Sequence, residues 1–312
     1  MMAATAVRLG PLVLRNPVIA ASGTFGFLLE YMPYVDPQEL GAVVLKTVTL
    51  EPRTGNPPPR IAETPAGLLN AVGLQNPGVD ALIEHVLPLL REYSVPVIVS
   101  IAGFTVEEFY ILAARLSAVP GIAALELNIS CPNVEAGGTA FGVDPDMAAA
   151  AVAAARRGTA LPLIAKLTPN TADIAAVARR VVKAGADVVA LINTLKGMAI
   201  DLVHRRPLLG NVFGGLSGPA IKPVALRAVW EVYEAVDVPI IGMGGITTWQ
   251  DAVEFILAGA TAVGVGSANL VNPRATAEIA AGISRYLAEN HVEDLSTLVG
   301  AAHRWEGNRG RA

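Results

Sequence analysis

Eight short apolar runs recur along the chain, and most of them are followed by a segment with the apolar spacing of a helix. The runs lack the strict alternation of half-exposed strands, which indicates parallel strands covered on both faces. Eight such units in 312 residues predict a (β/α)8 TIM barrel, formed as a single domain over residues 1–312. The predicted strands are residues 17–21, 42–45, 96–101, 122–127, 162–167, 187–192, 239–243 and 262–265.

The segments between these strands divide into helices and long insertions. Residues 51–78 are rich in proline and glycine and predict a long irregular stretch, and residues 195–218 form a second long insertion that is polar and rich in glycine. We interpret both as long loops inserted over the C-terminal mouth of the barrel. A doubly wound sheet is the alternative fold, but the glycine-rich fingerprint that follows its first strand is missing. Residues 9–14 predict a small hairpin, and helices are predicted over residues 79–92, 106–117, 145–157, 171–184, 219–236, 249–258 and 272–289.

The composition predicts a soluble, cytoplasmic protein. Hydrophobic residues make up 53% of the chain and charged residues 16%, which allows a sizeable core and argues against global disorder. No apolar run approaches the roughly 20 residues of a membrane-spanning helix, and the first residues lack a signal-peptide pattern. The net charge of -4 argues against nucleic acid as the main ligand. One cysteine excludes an internal disulfide.

Polar residues lie at the C-terminal ends of the predicted strands, where barrels of this kind hold their active sites. The lysines are the most informative of them, because an unpaired ammonium group in an apolar strand is costly. They face either an anionic ligand or an internal acid such as Glu126. In chain order, the strand ends supply Ser22, Lys46, Ser100, Asn128, Lys166, Asn193, Gly244 and Gly266.

Glycines also follow the last two predicted strands, in the motifs MGGI (residues 243–246) and GVGSANL (residues 264–270). Glycines at these two places let backbone N–H groups approach a phosphate at a helix N-terminus. The sequence therefore predicts a ligand that carries phosphate. The four histidines show no metal-binding spacing, and we predict no metal site.

Cys131 lies just past the fourth predicted strand, in the loop NISCPN (residues 128–133). Free cysteines are commonly buried and inert, but a loop with Pro132 and Asn133 does not resemble packed core. Because a thiolate can serve as a base or a nucleophile, we expect Cys131 to be catalytic.

Seven motifs spread in order over nearly the whole chain resemble dihydroorotate dehydrogenase, most closely class 1B, the NAD-linked catalytic subunit. Cys131 separates the chain from class 2, which uses serine, and the GLQNPG form of the first motif favours 1B over the fumarate-linked class 1A. The motifs are NAVGLQNPG (residues 70–78), NISCPN (128–133), AKLTPN (165–170), INTLKGMAID (192–201), GGLSGPAIKP (214–223), MGGI and GVGS.

The resemblance implies an FMN-containing barrel that oxidises (S)-dihydroorotate to orotate in pyrimidine synthesis. Cys131 is then the base that removes the C5 proton, while the C6 hydride goes to N5 of FMN. The implied substrate-binding residues are Lys46, Asn70, Ala71, Val72, Gly73, Leu74, Asn128, Asn193 and Thr194. The implied FMN-binding residues are Ser22, Lys46, Thr47, Ser100, Asn128, Lys166, Ile192, Gly218, Gly244, Gly245, Gly266 and Ser267.

The resemblance to class 1B also implies a partner, an electron-transfer subunit that holds FAD and a 2Fe–2S cluster and reduces NAD+. The expected assembly is a heterotetramer with a homodimer of this chain as its core. The sequence is consistent with a separate subunit for NAD+ reduction, because it has neither a dinucleotide-binding fingerprint nor the cysteines of an iron–sulfur cluster.

Two positions depart from the family pattern: Glu135 stands where CPNVKxGG has lysine, and Ser100 stands where asparagine is common. The alternatives are another flavin barrel acting on a pyrimidine, similar to dihydropyrimidine dehydrogenase or to tRNA dihydrouridine synthase, and a non-catalytic phosphate-binding barrel. A barrel similar to dihydropyrimidine dehydrogenase fits the motif NAVGLQNPG less well, and the acidic net charge argues against the RNA-binding tRNA dihydrouridine synthase. The presence of Lys46, Cys131 and Lys166 argues against a non-catalytic barrel.

Overall fold

The computed structural model describes residues 5–129 and 138–305. Within them, eight parallel strands close into a barrel in which each strand pairs with its neighbours in chain order and the last pairs with the first. The predicted fold class, number of barrel strands and their positions are thereby confirmed. The strands are β1 (Val18–Ala20), β2 (Ala42–Val44), β3 (Val97–Ile101), β4 (Ile122–Asn128), β5 (Leu163–Lys166), β6 (Val188–Leu191), β7 (Ile240–Met243) and β8 (Ala262–Val265).

The barrel strands are buried along their whole length, with the half-buried Ala123 as the exception. Side chains on one face of each strand fill the barrel interior, and those on the other face pack against the surrounding helices. This burial on both faces is the reason why the strands appear in the sequence as continuous apolar runs.

A helix follows each strand except β1, whose connection to β2 holds the 3-10 helix Pro37–Glu39. Among the described residues, no helix is long and apolar enough to cross a membrane. The first helical segment is Gly78–Ala81, the π-helical turn Leu82–Val86 and Leu87–Leu90. The other α-helices are Val106–Ser117, Gly138–Val143, Pro145–Gly158, Ile174–Lys183, Lys222–Tyr233, Trp249–Leu257, Ala268–Val271 and Ala275–Glu289, and further 3-10 helices are Pro219–Ile221, Leu295–Leu298 and Ala301–Arg304.

The predicted hairpin near the start of the chain is present as Val7–Leu9 paired antiparallel with Leu12–Leu14. Its turn residue Gly10 has a φ of +60°, and a Cβ there would lie 3.4 Å from the carbonyl oxygen of Asp187, just before β6. The hairpin therefore packs against the N-terminal end of the barrel, opposite the mouth.

Both long insertions are present as predicted, but the prediction that residues 51–78 form an irregular stretch is wrong. Parts of both insertions pair into a four-stranded antiparallel sheet, which we name the canopy sheet. Its strands, in spatial order, are Leu195–Gly197, Gly214–Ser217, Gly67–Asn70 and Ile61–Thr64. Short strands rich in glycine give almost no sequence signal, and these become stable only by pairing across the two insertions. A second small hairpin, Ile200–Asp201 paired with Arg206–Pro207, lies within the insertion at residues 195–218.

Candidate active site

A cavity opens at the C-terminal ends of the barrel strands, bordered on one side by the canopy sheet. The sequence predicted that all eight strand ends meet here, and the ends of seven strands reach the cavity. They meet because parallel strands in a barrel end at the same face. These strand ends supply Ser22, Lys46, Asn128, Lys166, Asn193, Gly244 and Gly266, and the canopy sheet supplies Ile61, Leu68, Asn70 and Ser217.

Most residues that the sequence nominated for the site line this one cavity. Ala71 and Ser100 are fully buried and lie outside the lining. Cys131 and Glu135 lie outside the described residues, so the role predicted for Cys131 stays a prediction. The nominated residues in the lining are Ser22, Lys46, Thr47, Asn70, Val72, Gly73, Leu74, Asn128, Lys166, Ile192, Asn193, Thr194, Gly218, Gly244, Gly245, Gly266 and Ser267.

Ser100 reaches the site through a neighbour. Its hydroxyl oxygen lies 2.9 Å from Oγ1 of Thr47, at hydrogen-bonding distance. The same Thr47 oxygen accepts a hydrogen bond of 3.3 Å from Nδ2 of Asn128. Ser100 and Thr47 thus help to fix the carboxamide of Asn128 at the end of β4. Ala71 instead packs with Leu69 and Leu209 behind the cavity wall.

Lys166 combines the two explanations that the sequence left open. Its Nζ lies 3.9 Å from Oε1 of Glu126, which forms a buried ion pair, and donates to Oγ of Ser22 at 3.2 Å. Lys166 also lines the cavity, with 7% of its side chain exposed. A buried ion pair contributes little net stability, so stability alone does not account for a lysine at this place.

Carboxamide side chains form another part of the lining. Asn193 and Thr194 follow β6, and their loop is held by Asn170, whose Nδ2 donates to the carbonyl of Thr194 at 3.0 Å. Nδ2 of Asn70 donates to the carbonyl of Gly215 at 3.3 Å, which ties it to the neighbouring canopy strand. Each carboxamide offers both donors and an acceptor, as a ring with alternating N–H and C=O groups requires.

The turn after β7 depends on glycine. Gly244 and Gly245 have φ values of +126° and +78°, which residues with a Cβ atom rarely adopt. A Cβ on Gly245 would lie 2.9 Å from the carbonyl oxygen of Gly218, so this turn packs directly on another backbone segment of the cavity wall.

The end of β8 is open toward the cavity. A Cβ on Gly266 would have Oγ1 of Thr24, at 4.0 Å, as its nearest neighbour. The buried Asn269 fixes this strand end, because its Nδ2 donates to the carbonyl of Val265 at 3.0 Å. The backbone at Gly266 is therefore accessible to a ligand and is held in place by a side chain that does not line the cavity.

Lys222 and Asp251 brace the turn after β7 from outside. Nζ of Lys222 donates to Asp251 at 2.7 Å, and the N–H groups of Thr247 and Thr248 donate to the other carboxylate oxygen at 2.9 Å. Burial raises the pKa of Asp251, but the hydrogen bonds from Lys222, Thr247 and Thr248 outweigh burial and lower it to about 2. The hydrogen bond to Asp251 in turn raises the pKa of Lys222.

The comparison with known proteins decides the family. The family model of dihydroorotate dehydrogenase matches residues 5–287. The chain belongs to the dihydroorotate dehydrogenase family. Three similar relatives are each named dihydroorotate dehydrogenase B (NAD(+)), catalytic subunit. The relative from Desulforudis audaxviator is 64% identical over 303 residues, 97% of this chain and 99% of its own length. That from Desulforamulus reducens is 60% identical over 298 residues (96% and 98%), and that from Trichlorobacter lovleyi is 57% identical over 301 residues (96% and 99%).

These similarities confirm the predicted dihydroorotate dehydrogenase family and the predicted class, 1B, of this enzyme. Sequence reasoning missed several residues in the lining of the dihydroorotate dehydrogenase cavity. The signal that could have revealed the canopy residues is the turn TPAG (residues 64–67) between two short apolar pairs. Among the described residues, no group of His, Cys, Asp and Glu side chains is arranged to hold a metal ion. The missed residues include Thr24, Ile61, Leu68, Ser217 and Leu270.

Proposed function

We propose that this chain oxidises (S)-dihydroorotate to orotate in pyrimidine synthesis, with FMN bound in the cavity at the mouth of the barrel. The observation that carries the proposal is the convergence of lysines, carboxamides and glycine turns in that one cavity. Lysines suit an anionic ligand, carboxamides suit a pyrimidine-like ring, and accessible glycine backbone suits a phosphate. The names of the relatives supply the reaction.

The residues around the cavity fit FMN. The open backbone at Gly266 and the glycine turn at Gly244 and Gly245 suit its phosphate, and Lys166 brings a positive charge to the same cavity. When bound, FMN supplies the acceptor for a hydride. Ser100 contributes through Thr47. The residues proposed to hold FMN are Ser22, Lys46, Thr47, Asn128, Lys166, Ile192, Gly218, Gly244, Gly245, Gly266 and Ser267.

The carboxylate of dihydroorotate is proposed to pair with Lys46, and its ring amides with the carboxamides of the lining. Cys131 is proposed as the base, three residues beyond Asn128 at the end of β4, which reaches the cavity. The thiolate takes the C5 proton, the C6 hydrogen leaves with its electron pair, and a C5–C6 double bond forms. The other proposed substrate contacts are Asn70, Val72, Gly73, Leu74, Asn128, Asn193 and Thr194, whereas Ala71 lies behind the cavity wall.

Electrons are proposed to pass to NAD+ through a partner subunit that carries FAD and a 2Fe–2S cluster. The relatives' names, which describe a catalytic subunit of an NAD(+) enzyme, support a second subunit. An apolar groove that adjoins the cavity and shares Ile61 and Leu270 with it also supports this. Val271 in this groove is 89% exposed. A large exposed apolar surface of this kind is typical of protein contacts.

A homodimer is proposed as the core of the heterotetramer. Leu202 and Val203, in the small hairpin beyond the canopy sheet, are 85% and 83% exposed, and Phe213 is exposed as well. These apolar side chains support burial against a second copy of the chain. Residues 1–312 are proposed to form one FMN-binding domain. A cytoplasmic location is proposed from the single cysteine, because reducing compartments disfavour disulfides.

The test is an anaerobic absorbance spectrum of the purified chain, reconstituted with FMN, before and after the addition of dihydroorotate. We expect a flavin spectrum that bleaches with dihydroorotate and that dihydrouracil leaves unchanged. NAD+ added to the isolated, reduced chain should not restore the colour, because the proposal assigns that step to the partner subunit.

The other outcomes separate the alternatives. A flavin that bleaches with dihydrouracil instead favours a barrel similar to dihydropyrimidine dehydrogenase. A protein that binds FMN but responds to neither compound contradicts the proposed reaction. A protein that FMN cannot reconstitute contradicts the flavin site itself and leaves a phosphate-binding barrel.

A further inference from the structure

Glu126 is a fully buried carboxylate in the middle of β4, and it is the one acidic side chain in the buried part of the described chain. It precedes Asn128 by two residues, so both side chains lie on the same face of the strand. Asn128 lines the cavity whereas Glu126 does not, which puts Glu126 one layer below the cavity. An acid at such a place is costly unless its contacts stabilise it.

The contacts of Glu126 lead directly to two residues of the cavity lining. Oγ of Ser22 donates to Oε1 of Glu126 at 3.0 Å, and Nζ of Lys166 lies 3.9 Å from the same oxygen. Lys166 also donates to Oγ of Ser22 at 3.2 Å. Ser22 therefore joins the acid to the lysine, and the three groups come from β4, the end of β1 and β5.

The second carboxylate oxygen of Glu126 takes no part in this network. Oε2 is buried and has no hydrogen-bond partner among the described residues. A carboxylate chosen for stability alone is expected to satisfy both oxygens. The side chain is instead held by one oxygen, on the side that faces Ser22 and Lys166.

We propose that Glu126 is a positioning residue of the flavin site, which holds Ser22 and Lys166 toward bound FMN and whose negative charge lowers the reduction potential of that FMN. The inference rests on the proposed function. A hydride carries one negative charge, so FMN that accepts it becomes more negative. The positive charge of Lys166 favours that change, and the negative charge of Glu126 offsets the lysine.

The experiment is a reduction-potential titration of the FMN-reconstituted chain, with Glu126→Gln as the main variant. Glutamine keeps the size of the side chain and an acceptor for Ser22 but removes the charge. We expect the equilibrium constant for two-electron reduction to rise about tenfold, which corresponds to about 30 mV. Asp187→Asn is the matched control, because it removes an acid from the Arg156 ion pair at the other end of the barrel. Its potential should equal that of the wild type.

A charge cycle keeps the inference testable where Glu126→Gln alone folds poorly. Lys166→Met should lower the potential, and the double variant Glu126→Gln/Lys166→Met should raise it again toward the wild type. Equal potentials in Lys166→Met and in the double variant would overturn the inference, as would an unchanged potential in Glu126→Gln with FMN bound. Failure of the wild type to bind FMN would instead refute the proposed function. A change in thermal stability without a change in potential would leave Glu126 with a structural role only and would also overturn the inference.

Discussion

Gly266→Ala separates the binding of FMN from the stability of the fold. The backbone at Gly266 is outside the left-handed region, and the added methyl group would meet only Thr24 Oγ1 at 4.0 Å. The protein itself therefore has room for alanine, and reduced freedom of the unfolded chain stabilises such variants by about 0.4–1 kcal/mol. Because Gly266 lines the cavity and no other atom of the described residues lies near the added methyl group, we expect that group to occupy the space where the proposed FMN phosphate approaches the backbone.

The expected loss of FMN affinity follows from the contact that the methyl group blocks. A hydrogen bond to a charged group contributes about 1.5–3 kcal/mol, which corresponds to a rise in Kd of about 10- to 100-fold. Titration of the FMN-free chain with FMN, followed by flavin fluorescence, measures the Kd, and thermal unfolding of the same FMN-free samples measures stability. We expect a weaker Kd with an unchanged or slightly higher Tm.

The control is Gly197→Ala, in the canopy sheet but outside the cavity lining. A Cβ at Gly197 would meet the end of the Leu69 side chain at 3.3 Å and Cβ of Leu216 at 3.8 Å. Its Kd for FMN should match that of the wild type. If Gly266→Ala also bound FMN as tightly as the wild type, the phosphate would not lie at the end of β8, and our assignment of this strand end would be wrong.

Three further predictions follow from other parts of the site. Gly215→Ala places a methyl group on the side chain of Thr194 and should raise KM for dihydroorotate about tenfold or more while the Kd for FMN stays constant, which steady-state kinetics and FMN titration measure. Asp251→Asn should lower the free energy of unfolding in urea by about 1 kcal/mol at pH 7. Because the pKa of folded Asp251 is about 2, below its ordinary 3.8, this difference should be complete above about pH 4 and vanish as the pH falls toward 2. A constant difference across that range would contradict the role of the charge. Cys131→Ala should slow bleaching by dihydroorotate about 100-fold or more with FMN still bound, and a normal rate would refute Cys131 as the base.

The barrel could be predicted from the sequence because each of its strands is buried on both faces and ends in polar residues or glycine. The canopy sheet as a whole could not, because the strands that hold Asn70 and Gly215 pair across 145 residues, and the turn TPAG indicates only the hairpin formed by residues 61–70. Pairing of that kind is decided by the finished barrel, which brings the two insertions to the same edge.

The residues at the strand ends of the candidate site could be predicted from the sequence, but the contacts that their side chains make could not. The position of Lys166 near the end of an apolar run indicated that it reaches the mouth. The run could not show that the lysine both lines the cavity and pairs with Glu126. For Ser100 the sequence predicted too direct a role. The residue lies at a strand end as expected, but its hydroxyl is at hydrogen-bonding distance from Thr47 and does not line the cavity, and the sequence pattern could not show this orientation.

The canopy sheet divides the cavity between two kinds of structure. The proposed FMN contacts belong largely to the barrel strands and the turns that follow them, whereas the wall that carries Asn70 and borders Thr194 is built from insertions. Exchanging the two insertions together could therefore retarget the enzyme to a different ring while the cofactor half stays intact. Exchanging only one would leave half a sheet without its partner strands. If the proposed substrate contacts hold, the two insertions together form the unit that sets the choice of substrate.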